Sequence, residues 1–166
     1  AADLTRQLLA YAGKGNFVMT TVDLNRAVNE MTQLLSVSIS KKAALRYDLS
    51  EVRPRIQADP SQVQQLIMNL VTNASEAIGE ETSGLISVRT GVQHLDAEYI
   101  KHLALAFPLE PGLYATLEVS DTGCGMSPET QAKIFDPFFT TKFTGRGLGL
   151  SAMMGILRTH HGSLKL

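Results

Sequence analysis

The sequence predicts an α+β protein, a two-layer α/β sandwich whose mixed sheet packs against about three helices. The main observation is the order of its segments, since stretches with strand character and stretches with helical periodicity follow one another without strict strand–helix–strand alternation. The chain has 166 residues, of which 44% are hydrophobic and 19% are charged. This composition suits a domain with its own core rather than a disordered tail.

Composition excludes several classes of function. Fifteen Lys and Arg residues against sixteen Asp and Glu residues give a net charge of −1, so no nucleic acid partner is expected. The single cysteine, Cys124, excludes an internal disulfide and a cysteine-cluster metal site. No stretch reaches the ~20 apolar residues of a membrane span, and no secretory signal is visible. We therefore expect a cytoplasmic setting, while a membrane anchor elsewhere in a longer parent protein stays open.

The first third of the chain carries two helix signals and three strand signals. Residues 3–12 are typical of the end of an amphipathic helix, which the Gly-rich residues 13–16 interrupt. Asp23 is a suitable N-cap for a helix whose apolar residues recur at helical spacing, namely Leu24, Val28, Met31, Leu34 and Leu35. Short strands are predicted at Phe17–Val22, Ala44–Leu49 and Arg55–Gln57.

The strongest helix signal begins at Asp59, a capping residue followed by Pro60 in the first turn. Core-facing residues then recur every three or four positions, and they are Val63, Leu66, Ile67, Leu70, Val71, Ala74 and Ile78. Gly79 and Gly84 mark the exit of this helix. The remaining predicted elements are strands at Leu85–Val92 and Leu113–Val119, an insertion at Leu95–Pro111, helices at Pro128–Ile134 and Leu148–His160, and the start of a strand at Ser163–Leu166.

Two asparagines lie at the border of the apolar stripe of the long helix. Asn69 and Asn73 are four residues apart, which puts both amides on one helix face. An amide oxygen can be a neutral ligand to Mg²⁺, which keeps several waters and takes further oxygens from phosphates. Two solvent-exposed amides are the plainer interpretation.

A second cluster, Asp121 to Met126, directly follows a predicted strand. Its glycines permit positive φ and close backbone approach, and the aspartate carboxylate can only accept hydrogen bonds. Adenine presents an amino donor where guanine has a carbonyl acceptor, so an aspartate here favours adenine. An ordinary Asp-x-Gly turn is the alternative interpretation.

Two further clusters lie toward the C-terminus. Phe135 to Lys142 places adjacent aromatics beside a proline in a polar loop, which suits either a mobile lid or local packing. Gly145 to Leu150 brings glycines to the start of the last helix, where backbone N–H groups and the helix dipole favour an anion. This spacing is neither the dinucleotide-binding fingerprint nor a P-loop, and by itself it is not specific.

Four motifs follow one another along the chain, namely Asn-x-x-x-Asn-Ala, Asp-x-Gly-x-Gly, Phe-x-Pro-Phe-Phe and Gly-x-Gly-x-Gly-Leu. In this order they resemble the N, G1, F and G2 boxes of sensor histidine kinases. These boxes belong to the ATP-binding catalytic domain, which has the Bergerat-type nucleotide fold with an ATP lid. The resemblance covers about residues 59–162. Residues 3–12 further resemble the end of the dimerisation hairpin, which implies a hairpin end and linker at 1–15 and a catalytic domain at 16–166.

The resemblance also implies roles for individual residues. Asn73 would coordinate Mg²⁺, Asn69 would assist at the phosphates, and Lys142 joins these two in the catalytic set. Asp121 would hold the adenine amino group, and residues 127–146 would form the lid. The implied nucleotide-binding residues are Asn69, Asn73, Ala77, Asp121, Gly123, Gly125, Met126, Phe138, Thr141, Lys142, Gly145, Arg146, Gly147, Leu148, Gly149 and Leu150.

The function that the resemblance implies is transfer of the ATP γ-phosphate to a histidine outside this chain, for relay to a response-regulator receiver domain. The implied partners are ATP and the protein's own dimerisation and phosphoacceptor domain, in a homodimer. None of the four histidines, His94, His102, His160 and His161, lies in the phosphoacceptor context of the family, and His161 is expected to be structural.

Two other functions stay open at this point. ATP hydrolases of the same fold resemble one another in placing a glutamate four residues before the metal-binding asparagine. Asn69 stands there in this chain, and an amide is no general base. The alternatives are an ATP hydrolase or Ser/Thr-directed kinase of the same fold, and a degenerate module that binds a partner without nucleotide.

Two features depart from the family pattern. The chain ends at Leu166, before the Gly-Thr turn and final strand of the family, whose threonine commonly supports the adenine-binding aspartate. Lower adenine affinity is therefore expected. Glu76 stands three residues after Asn73, where some relatives place a basic residue near the phosphates.

Overall fold

Aspartate side chains begin both long helices of the protein. In the computed structural model, which describes residues 18–103, 107–136, 139 and 149–166, helix α1 spans Leu24–Ser38 and helix α2 spans Pro60–Ile78. The Asp23 carboxylate accepts the N–H of Arg26 at 3.1 Å, and the Asp59 carboxylate accepts the N–H of Ser61 at 2.9 Å. Both predicted N-caps are confirmed, because these oxygens satisfy N–H groups that have no partner within the first helical turn.

The described residues form two compact units. The first comprises Val18–His94 and Gly112–Gly125, and the second contains Leu95–Pro111 and Met126–Leu166. The helix predicted at residues 3–12 and the domain boundary at residue 15 lie outside the described residues and stay predictions.

The first unit contains two sheets. Strand β1 (Thr20–Asp23) pairs antiparallel with β3 (Arg55–Ala58), and the second sheet has the order β2 (Ala43–Asp48), β4 (Gly84–Leu95), β5 (Gly112–Asp121). Strands β2 and β4 are parallel. Strands β4 and β5 are antiparallel, because Leu85 is hydrogen-bonded to Thr122 whereas Gly91 faces Thr116. The predicted mixed sheet is therefore confirmed.

Helices α1 and α2 share one hydrophobic core with these strands. Strand β4 confirms the strand predicted at Leu85–Val92, and its residues alternate between two faces, since Ile86, Val88 and Thr90 are buried and Arg89 is exposed. Leu34, one of the apolar residues of the predicted helical pattern, is 53% exposed and does not belong to this core. Successive helical residues point ~100° apart, and its neighbour Leu35 faces the core instead. The core consists of Val22, Leu24, Ala27, Val28, Met31, Leu35, Ala58, Val63, Ile67, Val71, Ala74, Ile78, Ile86 and Val88.

The second unit contains three helices within its described part, α3 (Ala97–Ile100), α4 (Pro128–Lys133) and α5 (Gly149–Thr159). The ring of Phe107 stacks on that of His161 with 4.3 Å between centroids, and the Ser163 hydroxyl donates to the Phe107 carbonyl. The strand predicted at Ser163–Leu166 is reduced to one bridge residue, Leu164, because the pairing does not extend along the segment. None of the helices that the structure describes is long and apolar enough to cross a membrane.

Asp59 lies between β3 and α2, and its hydrogen bonds give a prediction about stability. Burial raises the pKa of Asp59, but hydrogen bonds from the Ser61 hydroxyl and from backbone N–H groups, including that of Val18 at 2.9 Å, outweigh burial. The pKa therefore lies below its ordinary value of 3.8. A depressed carboxyl pKa contributes stability that is present above the unfolded-state pKa and is lost as the pH falls through the folded-state pKa.

We expect Asp59→Ala to lower the free energy of unfolding by about 1–2 kcal/mol at pH 7, as for loss of an N-cap. The difference from the wild-type chain should shrink as the pH falls below the ordinary pKa of 3.8. Urea unfolding at neutral and acidic pH measures both quantities. Asp96→Ala is the control, since Asp96 is exposed and caps a helix of four residues. A loss of stability that is independent of pH would contradict this account.

Candidate nucleotide site

Three predicted site residues occupy successive turns of α2 near its C-terminal end. Asn69, Asn73 and Ala77 are spaced by four, so they share one side of the helix. All three are half-buried, and the two asparagines lie at the border of the buried stripe as the sequence predicts. The Nδ2 atom of Asn69 is buried and has no hydrogen-bond partner among the described residues. A buried N–H group without a partner is costly, so this amide is suited to an acceptor supplied by a ligand.

The loop after β5 contains the predicted adenine-binding aspartate. Asp121 Oδ1 accepts the N–H of Gly123 at 2.8 Å, so the Asp-x-Gly turn interpretation is correct. This turn uses one of the two carboxylate oxygens. Because Asp121 is exposed, its second oxygen can accept a further donor, and the two interpretations of this residue are compatible.

The two glycines of this loop are needed for different reasons. A Cβ atom on Gly123 would lie 2.4 Å from the carbonyl carbon and 2.6 Å from the carbonyl oxygen of Ala77, so only glycine allows this approach. Gly125 has φ +67° and open space around it, so its requirement is conformational rather than steric.

Backbone hydrogen bonds connect this loop to α2 and to β4. The N–H of Cys124 donates to the Ala77 carbonyl at 3.0 Å, and the N–H of Thr122 donates to the Leu85 carbonyl at 3.2 Å. The Thr122 Oγ1 atom accepts the N–H of Leu85 at 3.0 Å. The loop that carries Asp121 is therefore held against the last turn of the helix that carries Asn73.

Sequence reasoning missed Thr122 and the contribution of Cys124. The signal for Thr122 is a hydroxyl residue directly after the last residue of a strand. Cys124 has no side-chain signal, since any residue except proline supplies the same N–H. Ala77, named among the implied nucleotide-binding residues, contributes its carbonyl oxygen to this connection.

The remaining predicted site residues are distributed differently. Met126, Gly149 and Leu150 belong to the second unit, where Gly149 is the first residue of α5. Within the predicted lid, Ser127 caps α4, and the Met126 carbonyl accepts the Gln131 amide at 3.2 Å. Residues outside the described ranges stay predictions, and they are Phe138, Thr141, Lys142, Gly145, Arg146, Gly147 and Leu148.

The described contacts of the last two histidines agree with structural roles. His161 has a positive φ of 55° and stacks on Phe107, and Nδ1 of His160 lies 2.7 Å from the Ile156 carbonyl oxygen. His94 and His102 are exposed.

The residues present fit both a nucleotide and Mg²⁺. The buried Nδ2 of Asn69 needs an acceptor, which a phosphate oxygen provides. The amide oxygen of Asn73 is a hard neutral donor of the kind Mg²⁺ accepts. The close packing of Gly123 on Ala77 leaves the Asp121 carboxylate at the exposed side of the loop.

The first unit has helices packed on a mixed sheet. One helix carries an amide pair beside a glycine-rich loop with a carboxylate. This combination defines a nucleotide-binding α+β domain. Residues 58–166 match the family described as "Histidine kinase-, DNA gyrase B-, and HSP90-like ATPase", and the chain belongs to this family. It is therefore an ATP-binding domain of this family.

Sensor kinases are among the proteins to which this chain is similar. The chain is 32% identical over 161 residues to the sensor histidine kinase ZraS of Escherichia coli K12, covering 96% of this chain but only 30% of ZraS. It resembles the catalytic domain of the histidine kinase ThkA with a TM-score of 0.65 and 28% identity, over 87% of this chain and 82% of that one. The histidine kinase ThkA in its complex with the response regulator protein TrrA gives a TM-score of 0.66 at 25% identity. This match covers 97% of this chain and 41% of that one.

Proposed function

We propose that this chain is the ATP-binding catalytic domain of a two-component sensor histidine kinase. It would transfer the γ-phosphate of ATP to a histidine on a dimerisation hairpin outside this chain. The observation that carries the proposal is the hydrogen bond from the Cys124 N–H to the Ala77 carbonyl, 3.0 Å long. This bond ties the loop of Asp121 to the helix of Asn69 and Asn73, so that one rigid frame presents groups for the base and for the phosphates.

The chain's own residues would act mainly by positioning. The Asp121 carboxylate would accept the adenine amino group, and Asn69 Nδ2 would donate to a phosphate oxygen. Asn73 would hold Mg²⁺, which when bound neutralises part of the phosphate charge. As a histidine ring nitrogen bonds to the γ-phosphorus, the bond from that phosphorus to the β–γ bridging oxygen breaks and ADP leaves. Positioning and charge neutralisation account for most catalysis in such transfers.

The alternative is an ATP hydrolase or a Ser/Thr-directed kinase of the same fold. Water attack is favoured by a general base near the γ-phosphate, and Asn69, one turn before Asn73, has no basic group to offer. This residue favours transfer to a protein histidine over hydrolysis.

Lys142 and Arg146 would act as cations near the phosphates and neutralise part of their charge.

The proposed partners follow from the same assignment. They are a phosphoacceptor hairpin within a homodimeric parent protein and a response-regulator receiver domain. The ThkA complex with TrrA supports the second, since it joins a similar kinase to a response regulator.

Calorimetric titration tests the proposed site. Mg·ATP is expected to bind, whereas Mg·GTP and metal-free ATP should bind much more weakly, because Asp121 matches the adenine amino group and Asn73 the metal. Supplying a hairpin with its histidine should then yield a phosphorylated hairpin. Steady release of phosphate without any protein acceptor would contradict the kinase assignment and support the hydrolase.

Asp121→Asn should weaken Mg·ATP binding by about 10- to 100-fold, the usual value of a hydrogen bond to a charged group. The variant keeps the size of the side chain and removes its charge. Glu51→Gln makes the same chemical change at an exposed position before β3 and should leave the affinity unchanged. Wild-type ATP affinity in Asp121→Asn would refute the assigned role.

A further inference from the structure

The last pairing between β4 and β5 is completed by a side chain. In a regular antiparallel pair, two facing residues exchange both backbone N–H···O=C bonds. Leu85 and Thr122 exchange only one of them, from the Thr122 N–H to the Leu85 carbonyl. The other donor, the N–H of Leu85, is bound by the Thr122 hydroxyl oxygen at 3.0 Å. The hydroxyl therefore stands in for a main-chain carbonyl.

This substitution allows the chain to leave the strand immediately after Asp121. The Thr122 carbonyl is released from the ladder, and the next residues turn toward α2. Gly123 then packs against the Ala77 carbonyl and donates its N–H to Asp121 Oδ1. Cys124 donates to the Ala77 carbonyl oxygen. Thr122 is thus the point at which sheet pairing ends and the turn that orients the Asp121 carboxylate begins.

We propose that Thr122 is a positioning residue for base recognition, acting through Asp121. Its hydroxyl holds the end of β5 on β4 while the backbone turns, so that the second oxygen of Asp121 is kept in the direction of the adenine amino group. The inference rests on the proposed function, since it assumes that Asp121 recognises adenine. Thr122 itself need not contact the nucleotide.

Orientation of Asp121 and general stability of the chain respond differently to loss of the Thr122 hydroxyl. If the hydroxyl were purely structural, its removal would lower the affinity for every nucleotide by the same factor, or would only lower the unfolding temperature. A positioning role predicts a selective loss, confined to nucleotides that carry the amino group. Inosine triphosphate is a suitable probe, because it has a carbonyl in place of that amino group.

The experiment measures the affinities of Mg·ATP and Mg·ITP by calorimetry for the wild-type chain and three variants. Thr122→Val has nearly the same shape and leaves the Leu85 N–H without its acceptor, so ATP binding should weaken about five-fold, the effect of one ordinary hydrogen bond. ITP binding should be unchanged, so the preference for ATP falls. Thr122→Ser keeps the hydroxyl and should retain the wild-type preference. Thr116→Val makes the same change elsewhere on β5, opposite Gly91, and should change neither affinity.

The possible outcomes distinguish the positioning role of Thr122 from the adenine-binding role of Asp121. An unchanged ATP-to-ITP preference in Thr122→Val, or an equal weakening of both nucleotides, would overturn the positioning role alone. A wild-type chain that does not prefer ATP over ITP would overturn the adenine-binding role of Asp121 together with this inference. Loss of preference in Thr122→Val with its retention in Thr122→Ser would support it.

Discussion

Asn73→Ala is expected to abolish magnesium-dependent ATP binding and to reduce phosphotransfer by at least about 100-fold. Replacing residues that merely support a metal ligand costs about 10- to 100-fold in affinity or activity, so losing the ligand itself should cost at least the upper value. Asn73 lies one turn before Ala77, whose carbonyl oxygen accepts the N–H of Cys124. The Asn73 side chain takes no part in that hydrogen bond, so we expect its removal to affect the proposed metal and phosphate contacts and to leave the loop of Asp121 in place.

Calorimetry with and without Mg²⁺ and phosphorylation of a supplied hairpin measure the two effects separately. Asn29→Ala is a matched control, since it removes the same amide from an exposed position of α1. Asn73→Asp keeps an oxygen at this position but adds a negative charge beside the phosphates, and it should also impair transfer. Wild-type transfer by either Asn73 variant would count against its assignment as the metal-holding residue.

Gly123→Ala should be the most damaging change in the loop after β5. A Cβ atom there would lie 2.4 Å from the Ala77 carbonyl carbon, and neither the helix nor the loop backbone can yield cheaply. We expect a loss of about 1–3 kcal/mol in the free energy of unfolding, as for overpacked cores. Displacement of the loop would break the Cys124–Ala77 hydrogen bond, so ATP affinity should fall by more than about ten-fold.

Gly112→Ala is the matched control for this variant. It makes the same substitution at the opposite end of β5, where the nearest atom to an added Cβ is 3.9 Å away. Urea unfolding and calorimetry on both variants, compared with the wild-type chain, check the prediction. If Gly123→Ala bound Mg·ATP as tightly as the wild type, the close approach of loop and helix would have no part in nucleotide binding.

Much of the fold could be predicted because the deciding signals are local. Asp23 and Asp59 are capping residues beside apolar periodic runs, and the alternation along β4 separates its two faces. Leu34 shows where a pattern is insufficient, since it lies next to Leu35 on the helix and only packing decides which of them faces the core. The strand prediction for the segment after His161 is only partly met for a related reason. A strand exists only where a partner pairs with it, and a single residue pairs here.

In the candidate site, too, side-chain features could be recognised in the sequence, whereas backbone contacts could not. Asn69, Asn73 and Asp121 can be proposed from sequence because amide and carboxylate side chains have ligand-binding chemistry of their own. The connection of the loop to α2 could not, since it depends on a backbone N–H at Cys124 and a backbone carbonyl at Ala77. Main-chain groups are common to nearly all residue types, so only coordinates reveal which of them meet.

Helix α2 is held by hydrogen bonds at both of its ends. Its capping residue Asp59 accepts the N–H of Val18, and its last turn accepts the N–H of Cys124 from the loop of Asp121. A helix of 19 residues is about 28 Å long. Close-packed elements transmit strain along their length. A displacement of Val18 is therefore expected to reach the loop of Asp121 through the helix.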